Sequence, residues 1–186
     1  NKKKLESFVK TSKPIIISHL AAQPLILESY KKPYLTYTVN SLGTLNILET
    51  VKNNNIIKSL VCITSDKCYE SNNSTKGFKE TDKLGGEDPY SGSKASAEIM
   101  IGTYQKSFFN EKKCGIASAR AGNVIGGGDW SENRLIPDSI NSIMKNKTIY
   151  IRNPNFNRPW QHVIEPLYGY LILAKKIYKE PKLYSG

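Results

Sequence analysis

Leu60-Val-Cys-Ile63 runs without a break into Thr64-Ser-Asp-Lys-Cys-Tyr69. Four consecutive apolar residues read as a strand covered on both faces, as in a parallel sheet. A hydroxyl, a carboxylate and an amine then leave the sheet edge together. Outward from this point, similar short apolar runs occur at Pro14-Ile-Ile-Ile17, ending at Ser18-His19, and at residues 116–120. Between them lie longer stretches of helical spacing. Residues 39–51 carry Leu42, Leu45, Ile47, Leu48 and Val51 on one face, and residues 90–109 read as one long helix. Residues 5–9 read as the end of another helix. Strands alternating with helices predict βαβ units, hence an α/β fold with a doubly wound parallel sheet.

Residues 71–88 are polar and glycine-bearing, and a loop of that length is expected to be functional. Residues 121–134 form a glycine-rich excursion with Gly122, Gly126, Gly127 and Gly128. A short helix is expected over 135–144, a short strand over 148–151 and a last helix over 163–178. The expected organisation is a main sheet domain over residues 1–122. A smaller lobe follows over 123–186, with helices returning to the main domain. Ligands of open α/β sheets bind at the carboxyl ends of the strands.

Of the 186 residues, 39% are hydrophobic and 23% charged, ordinary values for a globular protein. No apolar run approaches the roughly 20 residues needed to span a bilayer, so no membrane segment is expected. The three cysteines, Cys62, Cys68 and Cys114, fit no zinc spacing and are odd in number. With only His19 and His162 as histidines, no metal site is expected, and the setting reads as reducing and cytoplasmic. The net charge of +11 is spread over scattered lysines such as Lys10, Lys52, Lys106 and Lys175. It is not gathered into the stripe that nucleic-acid binding requires.

The chemistry concentrates in two places. Tyr90-Ser-Gly-Ser-Lys94 opens a helix, and its spacing of four puts Tyr90 and Lys94 on one face. A nearby ammonium stabilises a phenolate and turns the tyrosine into a usable base. Ser65 can hydrogen-bond the same substrate oxygen, so the group suits removal of an alcohol proton as a hydride leaves its carbon. Tyr-x-x-x-Lys alone is common on surface helices. The strand, the Thr-Ser-Asp-Lys turn, the polar loop and Asp88-Pro89-Tyr90 together are far more specific.

At this point the sequence resembles the extended short-chain dehydrogenases, whose sheet is Rossmann-like. Within them it is similar to the CDP-glucose branch of the sugar-nucleotide 4,6-dehydratases. The resemblance rests on Ile63-Thr-Ser-Asp-Lys-Cys-Tyr-Glu70, Leu84-Gly-Gly-Glu-Asp-Pro-Tyr-Ser-Gly-Ser-Lys94, Ala119-Arg-Ala-Gly-Asn-Val-Ile-Gly-Gly-Gly-Asp-Trp130, Arg158-Pro-Trp-Gln-His162 and His19-Leu-Ala-Ala-Gln-Pro24. It covers nearly the whole chain. It implies NAD as a recycled cofactor, CDP-glucose as the nucleotide-sugar substrate, and a homodimer to which residues 90–109 contribute.

The resemblance also implies roles. Tyr90 is the base, and Lys94 its partner and a contact of the nicotinamide ribose. Ser65 is the catalytic hydroxyl, and Asp66 is the acid that protonates the departing C6 hydroxyl. Lys67 is the base at C5, where the dTDP-glucose branch carries a glutamate. For Lys67 to work it must be neutral, which burial or the charge of Lys94 favours. The alternative for Asp66 and Lys67 is a plain ion pair at a strand end. His19, Ala21, Ala22, Asn40 and Thr64 are expected along the cofactor. Gln23, Asn123, Arg134 and Arg158 are expected at the substrate, with Arg158 suited to a bidentate diphosphate clamp. Asn123 and Arg134 have plainer alternatives as a cap and a surface residue, and Asn40 as a helix-fixing polar group. Trp160 reads as core more than as a stacking platform, and His162 as structural.

The family's Gly-x-x-Gly-x-x-Gly pyrophosphate loop is not found in the 186 residues, and Gly126-Gly-Gly128 lacks its spacing. The expectation is therefore an internal piece of a longer enzyme, binding NAD weakly and turning over little by itself. An epimerase or reductase on the same scaffold, or a non-catalytic sugar-nucleotide-binding fragment, are the competing readings. A nucleic-acid-binding module rests on charge alone.

Overall fold

Leu60 to Ile63 does form the central strand of the fold. The computed structural model describes residues 1–71, 77–109 and 114–186. Its main sheet is parallel, in the order β1 (Ile16–His19), β2 (Ser59–Ile63), β3 (Gly115–Ala119). The register sets His19 against Cys62 and Ile63 against Ala119, so all three strands end at one edge.

Alternation along β2 explains why the sheet is covered twice. Leu60 and Cys62 point to a core built with Val9 of α1 (Lys2–Ser12), with Ile47, Leu48 and Val51 of α4 (Gly43–Lys52), and with Ile101 of α5 (Pro89–Tyr104). Val61 points the other way, to Ala117, Ala174 and Ile177, the last two on α7 (Ile164–Lys179). Successive side chains of a strand take opposite faces. Each fully buried aliphatic contributes about 1.5–3 kcal/mol over leaving it in water. At Gly115 the strand passes so close to α7 that a Cβ would sit 2.6 Å from Ile177.

The chain divides into two compact units, residues 1–121 with 169–186, and residues 122–168. The first also holds α2 (Ile26–Lys31), α3 (Pro33–Tyr37) and α8 (Pro181–Tyr184). The second holds β4 (Asn123–Ile125) and β5 (Trp160–His162), paired in parallel, and α6 (Leu135–Met144). No helix among the described residues is long and apolar enough to cross a membrane.

Several expectations need correction. The first strand lies two residues later than read and is not buried. Ile15 and Ile16 are 52% and 43% exposed, and among the described residues β1 pairs with β2 alone. The helix read over 39–51 is interrupted by a π-turn, Thr38–Leu42, and the one over 90–109 ends in another, Gln105–Phe109. Residues 148–151 form no strand; Ile149, Tyr150 and Ile151 are exposed and have no strand to pair with. The glycine-rich excursion contains β4. Of the loop read over 71–88, residues 72–76 lie outside the described residues.

Candidate active site

The turn after β2 is set by backbone bonds to the neighbouring strand end. Thr64 N–H donates to Ala119 O at 2.9 Å and Asp66 N–H to Ala121 O at 3.1 Å. Ser65, in extended conformation, caps a 3₁₀ turn, Asp66–Cys68, its hydroxyl accepting from Lys67 N–H at 3.2 Å. The same hydroxyl donates to Asp66 Oδ1 at 3.1 Å. Lys67 Nζ lies 3.4 Å from that oxygen, with both side chains partly exposed. The expected acid and base are thus an adjacent ion pair, and Cys68, fully buried, anchors the turn beneath them.

Helix α5 brings the second group. Asp88 caps it, accepting from Ser91 N–H at 3.0 Å and from the Ser91 hydroxyl at 2.6 Å, and Pro89 holds the first helical position. The approach to this helix is tight: a Cβ on Gly86 would meet Gly92 N at 2.5 Å. Tyr90, Lys94, Glu98 and Ile101 share the buried face, at the spacing of one helical stripe. Lys94 Nζ donates to Ile63 O at 3.1 Å, tying the helix to the last residue of β2. Burial draws the Lys94 ammonium below its ordinary value, while nearby Cys62 and Glu98 favour its charge.

Around these, residues 19–25 and Asn40 form a bracket. Asn40 is 1% exposed. It accepts from Gln23 N–H at 2.8 Å and donates to Gln23 O at 3.0 Å and to the Ser93 hydroxyl at 2.9 Å. The Gln23 amide is itself engaged, with Leu25 at 2.6 Å and Thr36 at 2.8 Å. In this structure Gln23 and Asn40 hold the loop to α5. His19, at the tip of β1, lies 3.3 Å from the Thr44 hydroxyl. Burial, with the charge of Lys94 behind it, lowers its pKa to about 4, so its ring is neutral at physiological pH. Ala21 is exposed and Ala22 half-buried on the same loop.

The sequence reading missed four residues here. Glu98 receives hydrogen bonds from Thr64, from Ser118 at 2.8 Å, and from Arg120 through Nε at 3.0 Å and Nη2 at 2.7 Å. Arg120 also donates to the Tyr69 hydroxyl at 2.8 Å. Burial alone would raise the Glu98 carboxyl, but these bonds hold it below its ordinary value. The available signal was a glutamate on the buried stripe of α5 and an arginine ending an apolar strand. Thr64, expected along the cofactor, is committed to this network.

In the second unit, Asn123 opens β4, its N–H donating to Pro159 O at 3.1 Å. Arg134 caps α6 and pairs with Asp129 at 2.9 Å. Arg158 is exposed, its guanidinium 5.6 Å from the Phe156 ring centre. Trp160, read as core, is 43% exposed. The His162 ring accepts from Ile164 N–H at 3.3 Å.

Comparison with known proteins places this arrangement. A CDP-glucose 4,6-dehydratase of Salmonella typhimurium is 48% identical over 98% of this chain and 52% of its own length. The crystal structure of a dTDP-glucose 4,6-dehydratase from Bacillus anthracis, in complex with NAD, superposes with a TM-score of 0.78 at 27% identity. It covers 97% of this chain and 53% of that one. A UDP-glucose 4-epimerase from Thermotoga maritima, with UDP-glucose, shares the fold at a TM-score of 0.82 and 19% identity, covering 92% and 55%. The chain spans about half the length of the relatives it matches. The family model described as GDP-mannose 4,6 dehydratase matches residues 1–179, and with this match the chain belongs to that family.

Proposed function

We propose that this chain carries the catalytic residues of an NAD-dependent CDP-glucose 4,6-dehydratase, a hydro-lyase. The single observation that carries the reading is the bond from Lys94 Nζ to Ile63 O. It joins the Tyr-Lys helix to the strand end from which Ser65, Asp66 and Lys67 project. An alcohol-oxidising group and an acid–base pair thus share one sheet edge.

The residues present fit the nicotinamide end of NAD. Lys94 is a buried ammonium with three donors, in no ion pair among the described residues, beside a neutral His19 at the same edge. When bound, NAD would supply reversible hydride acceptance, so the sugar would undergo no net oxidation. Tyr90 takes the proton of the C4 hydroxyl, with Ser65 orienting that oxygen and Lys94 stabilising the phenolate. The C4 ketone acidifies the C5 hydrogen. Lys67 removes that proton, Asp66 protonates the C6 hydroxyl, and water leaves.

Both latter roles start from one proton shift. Moving a proton from Lys67 Nζ to Asp66, 3.4 Å away, turns the ion pair into a neutral amine and a carboxylic acid at unchanged total charge. By the same resemblance Arg158 clamps the diphosphate and Asn123 and Arg134 contact the substrate. The setting is a reducing cytoplasm. Burial pushes the Cys62 and Cys68 thiols up to about 12 and about 11, so both stay protonated. The assembly is a homodimer, formed through the outward face of α5 where Ile99 is 58% exposed.

The test is incubation of the chain, carried within a protein of the full length of its relatives, with NAD and CDP-glucose, followed by mass spectrometry, beside dTDP-, UDP- and GDP-glucose. Loss of water from CDP-glucose in preference to the others supports the reading; preference for another base corrects the nucleotide. A second reading, a 4-epimerase or reductase, is favoured by one observation, that Asp66 and Lys67 are paired with each other rather than held apart. That reading predicts a changed sugar with no loss of water.

A further inference from the structure

The ion pair between α5 and the end of β3 takes no part in the chemistry above. It is too deep to be a surface pair: the Glu98 side chain is 4% exposed and that of Arg120 15%. Desolvation offsets most of the attraction in a buried pair, which makes stability alone a poor reason for one. What distinguishes this pair is where its other bonds go. Glu98 accepts from the Thr64 hydroxyl, and Thr64 opens the turn. Arg120 Nη1 donates to the Tyr69 hydroxyl at 2.8 Å, its guanidinium lies 4.9 Å from that ring centre, and Tyr69 closes the turn. Arg120 also donates to Glu80 O at 3.1 Å, and Tyr69 stacks on Phe78 at 4.7 Å between ring centres. Between the two anchors lie four residues: Ser65, Asp66, Lys67 and Cys68.

We propose that Glu98 and Arg120 form a two-ended clamp on the catalytic turn, and that both are positioning residues for the proton transfers of Ser65, Asp66 and Lys67. The inference rests on the dehydratase reading for what the turn does, and on the geometry alone for how the turn is held. Glu98 lies one helical turn beyond Lys94 on the same face of α5, so one helix carries both the Tyr-Lys pair and the acid of the clamp. The guanidinium is suited to this by shape. Its Nε and Nη2 take the two oxygens of Glu98 while Nη1 remains for Tyr69. A lysine at 120 keeps the charge that balances Glu98 and loses the fork.

The experiment compares the unmodified protein with Arg120→Lys, Tyr69→Phe, the double variant, and Lys83→Ala as a control in an exposed pair with Glu70. Steady-state kinetics of water loss, thermal melting and peptide-resolved hydrogen exchange are read on each. Arg120→Lys is expected to lower kcat by about 10- to 100-fold with KM for the sugar nucleotide within about twofold, because misplaced groups lose rate more than binding. Tyr69→Phe is expected to lower kcat less. The double variant is expected to be no worse than Arg120→Lys, the non-additive result for residues that act as a unit. Amides of residues 64–69 are expected to exchange faster in both single variants while the core strands do not change.

Unchanged kcat in folded Arg120→Lys, or additive losses, or faster exchange spread over the whole first unit, overturns the clamp. If Arg120→Lys does not fold, Tyr69→Phe decides alone, since it removes one hydroxyl and leaves the pair intact. If the unmodified chain, carried within a protein of the full length of its relatives, dehydrates no nucleotide sugar, the dehydratase reading fails. The exchange data then still decide the clamp: local loosening of 64–69 upholds it, and no loosening overturns it.

Discussion

Two ion pairs lie within a few residues of the end of β2, and they are built in opposite ways. Glu98–Arg120 is at 2.7 Å, almost fully buried, and both carboxylate oxygens are used by several donors. Asp66–Lys67 is at 3.4 Å, with side chains 33% and 23% exposed, and among the described residues the Asp66 carboxylate has one further bond, from Ser65. A pair with every partner in place cannot change protonation without stranding a buried charge. A partly exposed pair with few other bonds can separate and take up other partners at little cost. On the proposed reading, the contrast separates what holds the turn from what reacts on it.

Four measurements test that division. The largest effect belongs to Lys67. Lys67→Ala is expected to reduce water elimination by about a thousandfold or more, the scale of a lost general base. Oxidation at C4, seen as transient NADH absorbance, is expected to survive. Equal loss of both would remove Lys67 from its role.

Next, Glu98→Ala is expected to lower the unfolding free energy by about 3–5 kcal/mol, because it leaves Arg120 buried without its carboxylate; urea midpoints measure it. A loss under about 1 kcal/mol would make the two pairs alike.

Third, His19 gives a pH signature. Its pKa is about 4 in the fold against 6.5 in the open chain. Between those values the unfolded chain takes up a proton that the folded chain refuses. Stability is therefore expected to fall as pH drops from 6.5 to 4, by at most about 3 kcal/mol from this group. His19→Gln is expected to flatten that part of the curve.

The smallest effect is Asp66→Asn on stability, expected under about 1 kcal/mol, as for partly exposed pairs, although it removes the proposed acid.

What could be read from the sequence was what is local along the chain. The apolar run 60–63 and the one-turn spacing of Tyr90 and Lys94 each lie within a few residues, and the structure places them as read. Strand β1 misled because its residues are apolar enough for a centre, yet among the described residues it pairs on one side and is half exposed. Strands β4 and β5, three residues each, are too short to show a period, and 148–151 has the composition of a strand without a partner. The Glu98–Arg120 clamp was invisible for a similar reason. It joins residues 22 apart in sequence, and the bracket of Gln23, Asn40 and Ser93 joins three separate segments. Spacing does not report such contacts.

The central claim is that one turn and one helix together move a hydrogen from C4 to C6 and expel water. The most direct test is to give the protein CDP-glucose carrying deuterium at C4, with NAD in ordinary water, and to locate the label in the product. The account predicts a product one water lighter, with the deuterium at C6 and a solvent hydrogen at C5. Deuterium retained at C4 in a sugar inverted at C4 that has kept its water would contradict it, and would assign Tyr90 and Lys94 to an epimerase instead.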